Sequence, residues 1–273
     1  MASTDRIILS MSFFPLLSVP GFEGFTTIHA TPPNFWEFPF YPSKYYLYIL
    51  WSSDSIWHAY FYSELSLGDS VSISESDLPL SICSDSSVFL TLTTTHLPSH
   101  SFCLPNPRIY NYSVPAWRAT IGLRTKYAST SYQGELFAFP PSSTLLSFSP
   151  FFQVSPDYRN YLLFLNLEDS PVRRVGSLAF FSASRLTHYS TINISSNHFT
   201  LIPLDQLPLD PNDLLVSASS TMSGIPLYLT HHINGTSLSL EHTHPPASYF
   251  LDSHRFVHQK SMKKAWFSML YDQ

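Results

Sequence analysis

The sequence predicts an all-β fold of two tandem antiparallel β-sandwiches, jelly-roll or Ig-like, followed by a short C-terminal helix. Short runs rich in aromatic and β-branched residues alternate with clusters of Pro, Gly, Ser, Asn and Asp, which is the pattern of an antiparallel sandwich. Aromatic residues make up 16% of the 273 residues and charged residues only 12%, which favours strands over helices and argues against disorder. One order of motifs occurs twice, which indicates an internal duplication.

The repeat is clearest between residues 38–63 and residues 149–182. The apolar run at 45–51 and the turn Asp54-Ser55 match the apolar run at 161–165 and the turn Asp169-Ser170. Matches on either side extend it: the run at 7–14 with 119–127, Leu78-Pro79-Leu80 with Leu207-Pro208-Leu209, and 88–95 with 214–221. We therefore expect one sandwich at residues 1–112, a second at 113–250, and a separate tail at 251–273.

The strands differ in how they are buried. The runs at 45–51 and 161–165 are nearly all apolar, which predicts strands that are covered on both faces. Val71-Ser72-Ile73-Ser74 alternates instead, so one face of that strand is expected to be solvated. The pattern of buried and half-buried strands is that of sheets packed in layers.

The sharpest local prediction is a β-hairpin around Asn234-Gly235, the dipeptide preferred in two-residue type I′ turns. A two-residue loop would pair Ile233 with Thr236. It would also place the following side chains on one inward face: Leu227, Leu229, His231, Leu238, Leu240 and His242.

The tail predicts an amphipathic helix, because apolar residues recur there at helical spacing. They are Met262, Ala265, Trp266, Met269 and Leu270. We expect this helix to dock on the sandwiches through Trp266, and not on a membrane, since three lysines are a thin basis for membrane binding.

The N-terminal apolar run is expected to be a strand and not a targeting segment. Asp5 offsets Arg6, Pro15 interrupts the run, and no small-residue cleavage site follows. Nothing supplies the roughly 20 unbroken apolar residues of a membrane span. The expected location is therefore cytoplasmic, with no membrane partner.

Charge and cysteine content exclude several classes of protein. The net charge is −5 and no cluster of Lys and Arg occurs, so nucleic-acid binding is not expected. Cys83 and Cys103 are too few for a disulfide framework; we expect free buried thiols, although the two could pair. No cofactor is expected, because no Gly-rich phosphate loop occurs. Nucleophilic catalysis is not expected either, because Gly-x-Ser-x-Gly is absent.

Four histidines crowd the predicted hairpin: His231, His232, His242 and His244. Two residues apart on a strand, His242 and His244 point the same way and could share a metal ion, as in cupins. His231 would lie roughly 13 Å from His242 along the hairpin, and the glycines of the cupin pattern are missing. A metal site is therefore not expected.

The densest polar segment of the chain, residues 124–135, is the candidate binding site. The first copy has apolar residues at the matching positions, 13–17. A second difference between the copies brings in two arginines near residues 171–176. Cationic, hydroxyl, amide and aromatic side chains suit an anion or a sugar. The candidate residues are Arg124, Lys126, Ser129, Tyr132, Gln133, Glu135, Arg173 and Arg174.

These features favour a non-catalytic binding or protein-interaction module whose polar patch on the second repeat contacts the ligand. The partner would be a protein or a small polar ligand such as a carbohydrate or an anion, and a homo-oligomer is an open alternative. The alternative function is an enzyme with its active site in a cleft between the sandwiches. Such an enzyme could depend on a metal ion, as cupins do, or work without one. Arg124, Glu135, Arg159 and Glu168 would be candidates for that site.

Overall fold

The computed structural model describes residues 11–30, 44–82, 86–106, 118–134, 136, 138–139, 145–149, 155–208, 210, 213, 215–242 and 255–271. These residues form antiparallel strands and one α-helix near the C-terminus. The predicted all-β class with a C-terminal helix is therefore confirmed.

The first strands are β1 (Phe14–Leu16), β2 (Glu23–His29), β3 (Lys44–Ser53), β4 (Ile56–Ser66), β5 (Ser70–Ser74), β6 (Val88–Thr93), β7 (His100–Ser101), β8 (Arg118–Arg124) and β9 (Ser129–Gln133). They are followed by β10 (Leu145–Ser149), β11 (Tyr158–Leu165), β12 (Val175–Ser182), β13 (His188–Ser195), β14 (Phe199–Pro203), β15 (Leu215–Ser219), β16 (Ile225–His232), β17 (Leu238–His242) and the helix α1 (Arg255–Tyr271). Short 3-10 helices, Glu75–Asp77 and Leu204–Gln206, follow β5 and β14.

The strands pair into four sheets with the orders β1-β6-β3-β4-β7, β5-β2-β8-β9, β10-β15-β12-β13 and β14-β11-β16-β17. The first two sheets have the same strand order as the last two, apart from β7. Strands β1 to β6 correspond to β10 to β15, and β8 and β9 correspond to β16 and β17. Even the 3-10 helix after β5 has its counterpart after β14.

This strand order corrects the sequence match in its first half. Strand β3, which holds the run 45–51, occupies the position of β12 and not that of β11. The reason lies in the pairing partners, because β3 and β12 each form a hairpin with the next strand. Strand β11 instead lies between β14 and β16, just as β2 lies between β5 and β8. Strand β11 therefore corresponds to β2. The sequence matches that follow each 3-10 helix, such as residues 88–95 with 214–221, agree with the strand order. The tandem duplication itself stays a proposal.

The two Asp-Ser turns also differ. Asp54 and Ser55 form a two-residue turn between the paired Ser53 and Ile56, and both have positive φ, 50° and 61°. Asp169 instead follows β11 and accepts hydrogen bonds from the Leu104 amide, through its side chain at 3.1 Å and its main chain at 3.2 Å. The predicted equivalence of these two turns is therefore wrong, because only the first closes a hairpin.

The hairpin around Asn234-Gly235 has the predicted strand register but another turn. Leu229 pairs with Leu240 and His231 with Leu238. The loop is longer than two residues, because His232 donates to the Ser237 carbonyl and Gly235 to the His232 carbonyl. Only Gly235 has positive φ, 68°, whereas a type I′ turn requires it at both central residues.

Two sheets pack face to face in the second half of the chain. The core between β14-β11-β16 and β15-β12-β13 contains Leu162, Phe164, Leu178, Phe180, Ile194, Ile202, Leu215 and Tyr228. Tyr228 therefore lies in the sandwich core, whereas the sequence placed Leu227 and Leu229 on the inward face. Both sets are buried, because β16 is covered on both faces.

The helix α1 covers the outer face of the sheet that contains β12 and β15. Leu270 is buried, and Trp266 and Phe267 are half-buried, against Phe181 and Val216. Docking through Trp266 is therefore confirmed. Ala265 and Met269 were predicted on the same stripe but are exposed, because the contact runs through Phe267 instead.

The first half of the chain shows the other predicted burial patterns. Tyr45, Leu47 and Ile49 on one face of β3, and Tyr48 and Leu50 on the other, are all at most 2% exposed. In β5, Ile73 is buried and Ser70 and Ser72 are exposed, as the alternation predicts. A Thr26 hydroxyl donates to the Pro15 carbonyl at 2.7 Å, which links β2 to β1.

The chain divides into two compact units. Unit 1 comprises Met1–Gly122, Gln133–Ala138 and Asp169–Val172, and unit 2 comprises Leu123–Tyr132, Phe139–Glu168 and Arg173–Gln273. The predicted boundary at 112 and 113 falls outside the described residues. Within the described part of the chain, no helix has the length and apolar character that a membrane span requires.

Candidate ligand-binding site

The polar run identified in the sequence forms the tip of the β8–β9 hairpin. The Thr125 amide donates to the Ala128 carbonyl at 2.8 Å, which closes the turn. The Thr125 hydroxyl oxygen accepts from the amides of Tyr127, at 3.1 Å, and Ala128, at 3.0 Å. A hydroxyl that satisfies the turn amides in this way fixes the backbone of the tip.

This tip contacts the tip of the β16–β17 hairpin within unit 2. The Thr125 hydroxyl donates to the Gly235 carbonyl at 2.8 Å. Further along, the Leu240 amide donates to the Thr130 hydroxyl at 3.2 Å. The structure thus brings the polar run beside the histidine-rich hairpin, two segments that the sequence analysis treated separately.

We call residues 124–129 and 232–236 together the tip surface. Its cations, Arg124 and Lys126, flank Thr125 and are exposed. Tyr127 is 66% exposed, and its ring centre lies 5.4 Å from the Lys126 ammonium nitrogen, a cation–π contact. Neither tip contains an acidic residue. The tip surface is therefore cationic and offers one exposed aromatic ring.

The candidates on β9 divide between two faces. Ser129 and Gln133 are exposed, whereas Tyr132 is half-buried with its ring centre 6.1 Å from that of His242. Burial raises the pKa of the Tyr132 hydroxyl. Tyr132 is therefore a packing residue of the hairpin, and the sequence interpretation that it stacks on a ligand gains no support. Glu135 lies outside the described residues.

The two candidate arginines have different environments. Arg173 is exposed. Arg174 donates from Nε and Nη2 to the two carboxylate oxygens of Glu168, at 2.9 Å and 2.6 Å. Glu168 is buried, with a side chain that is 1% exposed, and its hydrogen bond raises the pKa of Arg174. Arg174 therefore neutralises a buried carboxylate.

The histidines of the hairpin make ring contacts. His231 stacks on Tyr161 with centroids 5.8 Å apart, and His232 meets Tyr158 edge-on at 5.3 Å. The Asn234 amide donates to Nδ1 of His232 at 3.2 Å. Among the described residues, no three His, Cys, Asp or Glu side chains are grouped to hold a metal ion.

A second polar cluster in unit 2 surrounds Asp213, whose side chain is 7% exposed. Its carboxylate accepts hydrogen bonds from the hydroxyls of Ser182, Ser184, at 2.7 Å, and Tyr189, at 3.2 Å, and lies 3.5 Å from Nη2 of Arg185. These bonds tie the β12–β13 hairpin to the segment before β15. A carboxylate with this many donors is a structural anchor, since both of its oxygens accept hydrogen bonds from the protein.

Sequence reasoning placed Thr125 and Tyr127 within the candidate segment but selected neither as a candidate residue. Thr125 joins the two tips, and Tyr127 supplies the exposed ring. Tyr127 carried a signal, because an aromatic residue in a polar turn is unusual. Thr125 carried none, since its partner Gly235 is distant in the sequence.

No protein-family model, curated protein or solved structure matches this chain. What the site can do follows from its geometry alone. It can bind through charge, hydrogen bonds and one aromatic face, and its described side chains include no nucleophile paired with a base.

Proposed function

We propose that the protein is a non-catalytic binding module whose tip surface contacts a small anionic ligand, an acidic carbohydrate being the class that fits best. One observation carries the proposal: the hydrogen bond from Thr125 to Gly235 fixes two hairpin tips side by side, with Arg124 and Lys126 exposed upon them.

The side chains of the tip surface suit the parts of an acidic sugar. Arg124 and Lys126 suit its sulfate or carboxylate groups through charge-assisted hydrogen bonds. The exposed Tyr127 ring suits the apolar face of a sugar ring, and the hydroxyls of Ser129 and Thr236 suit its hydroxyl groups. Rigid hairpin tips lose little entropy on binding, which favours affinity.

The experiment is calorimetric titration with a heparin-derived hexasaccharide as probe. The wild-type protein should bind it, and Arg124→Ala with Lys126→Ala should weaken binding at least about tenfold, because a hydrogen bond to a charged group is worth about 1.5–3 kcal/mol. Lys264→Ala, which removes an exposed lysine from α1, is the matched control and should leave affinity unchanged.

Two outcomes would oppose the proposal. One is the absence of binding by the wild-type protein, and the other is equal loss in the Lys264→Ala control, which would indicate binding through general charge. Neutral maltohexaose should not bind. Tyr132 is not a suitable target in this test, because removing its half-buried ring would also lower stability.

We also propose that the chain arose by tandem duplication of one sandwich. The repeated strand order and the repeated 3-10 helix support this, in the register where β3 corresponds to β12. Under that proposal the tip surface combines the equivalent hairpins of the two copies, β8–β9 from the first copy and β16–β17 from the second.

A further inference from the structure

The connection between β6 and β8 distinguishes the two halves of the chain. It runs through residues 94–117 and contains β7, whereas the corresponding connection between β15 and β16 comprises only residues 220–224. Long connections in compact domains are uncommon and are usually functional. The described part of this one, residues 94–106, lies in unit 1.

This segment is held against the sheet by hydrogen bonds along its length. The Leu97 amide donates to the Tyr48 hydroxyl at 3.0 Å, and the Ala59 amide donates to the Ser99 carbonyl at 2.9 Å. Strand β7 then pairs with β4, and the Leu104 amide donates to Asp169. The segment is therefore a fixed cover over the sheet.

Between the cover and the sheet lies a cavity of about 270 Å³. The sheet contributes Leu50, Trp57 and Ala59, and Leu50 pairs with Ala59 across β3 and β4. The Trp57 indole N–H donates to the Asp169 carbonyl at 2.9 Å, so this donor already has an acceptor within the protein. The cover contributes Leu97, Pro98, Ser101, Cys103, Leu104, Pro105 and Asn106.

The lining determines what the cavity can accept. Among the described residues that line it, none is charged, and the polar groups are the hydroxyl of Ser101, the thiol of Cys103 and the amide of Asn106. Cys103 is a free, exposed thiol. The prediction that it is free is therefore confirmed, and the prediction that it is buried is wrong. Cys83 lies outside the described residues. An engineered apolar cavity of about 150 Å³ holds benzene, and this cavity is larger.

We propose that this cavity is a binding site for a small, uncharged and largely apolar molecule of about two fused aromatic rings. Its ring system packs between Ala59 and the Leu97–Pro98 side of the cover. A single hydroxyl or N–H group on the molecule faces the polar groups of Ser101 and Asn106. The residues of this cavity belong to unit 1, and those of the tip surface belong to unit 2.

The experiment uses the full chain with Cys83→Ser, so that Cys103 is the one thiol in the sequence. Indole and 2-naphthol are the probes, and glucose is the polar control. Binding is measured by calorimetry, and occupancy of the cavity by the rate at which iodoacetamide alkylates Cys103. At a probe concentration ten times its Kd, alkylation should be slower, by up to about tenfold where the bound probe covers the thiol, because about a tenth of the sites stay empty.

Ala59→Phe, which fills the cavity, should abolish both signals. Ala265→Phe makes the same substitution at an exposed position of α1 and should leave both unchanged. If Ala59→Phe does not fold, Leu97→Trp fills the cavity from the cover instead. Absence of binding by the parent protein, binding that the filled variants retain, or binding that leaves the Cys103 rate unchanged would each overturn the proposal.

Discussion

At the scale of single residues, chemical type did not distinguish surface residues from structural ones. Arg173 and Arg174 are adjacent and identical in type, yet Arg173 is exposed and Arg174 neutralises a buried carboxylate. Tyr132 and Tyr127 lie on one hairpin, and only Tyr127 is largely exposed. The difference comes from partners distant in the sequence, which residue type cannot reveal.

Arg174→Ala should destabilise the protein by roughly 2–3 kcal/mol. It leaves the Glu168 carboxylate buried without its partner, and the cost falls below the 3–5 kcal/mol of fully buried pairs because the Arg174 side chain is 36% exposed. Urea unfolding measures the change. Lys264→Ala, at an exposed position of α1, is the control, expected within about 0.5 kcal/mol of wild type; equal effects of the two variants would contradict the assigned role.

Tyr132→Phe should reduce the loss of stability at alkaline pH. Burial raises the pKa of Tyr132 in the folded protein, so the folded state holds the proton more tightly than the unfolded state. That stability is fully present below the unfolded pKa of about 10 and falls above it, by up to about 1.4 kcal/mol per pH unit. The variant lacks this contribution.

Urea unfolding between pH 8 and pH 11 tests this prediction. The matched control is Tyr127→Phe, which removes a hydroxyl from a residue that is 66% exposed. An identical decline with pH in Tyr132→Phe and in wild type would show that Tyr132 does not hold its proton in the folded state.

At the scale of elements, the sequence predicted strands better than turns. Periodicity identified the doubly buried run at 45–51 and the alternating β5, and centring the hairpin on Asn234-Gly235 predicted the register of β16–β17. The turn types differ from the prediction. Asn234-Gly235, which was predicted to form a two-residue turn, lies in a longer loop, whereas Asp54-Ser55 does form a two-residue turn. Turn preferences are small energies, and the twist and packing of the paired strands outweigh them.

Ser55→Gly should stabilise the protein by about 0.5–1 kcal/mol. Ser55 has a φ of 61°, a conformation that costs a side chain about 1–2 kcal/mol, and the relief exceeds the added entropy of glycine in the unfolded chain. Thermal unfolding measures it. Ser52→Gly, within β3, should instead destabilise; a loss of stability in both variants would mean that the turn is not strained.

Leu270→Ala should destabilise the protein by about 2 kcal/mol, because it opens a gap between α1 and the sheet at a residue that is 5% exposed. Met269→Ala, one position away and 42% exposed, should change stability by less than about 0.5 kcal/mol. Chemical denaturation compares the two. Similar small effects would indicate that the helix does not pack on Phe181 and Val216.

At the scale of the whole molecule, the sequence predicted the class and the recurrence of motifs, but not their alignment. Strands that are buried on both faces have similar apolar runs, so β3 matches β11 as readily as β12 in the sequence. Pairing partners distinguish them, and these are long-range contacts. The tip surface could not be predicted from the sequence either, because Thr125 and Gly235, which join its two halves, are 110 residues apart.

The central proposal, that the tip surface binds an acidic sugar, is tested most directly by backbone amide NMR during titration with the heparin-derived hexasaccharide. We expect saturable shift changes at the amides of residues 124–129 and 232–236, and none at residues 97–106, which cover the apolar cavity. The absence of shift changes at the tip surface, or changes centred on another part of the chain, would contradict the proposal.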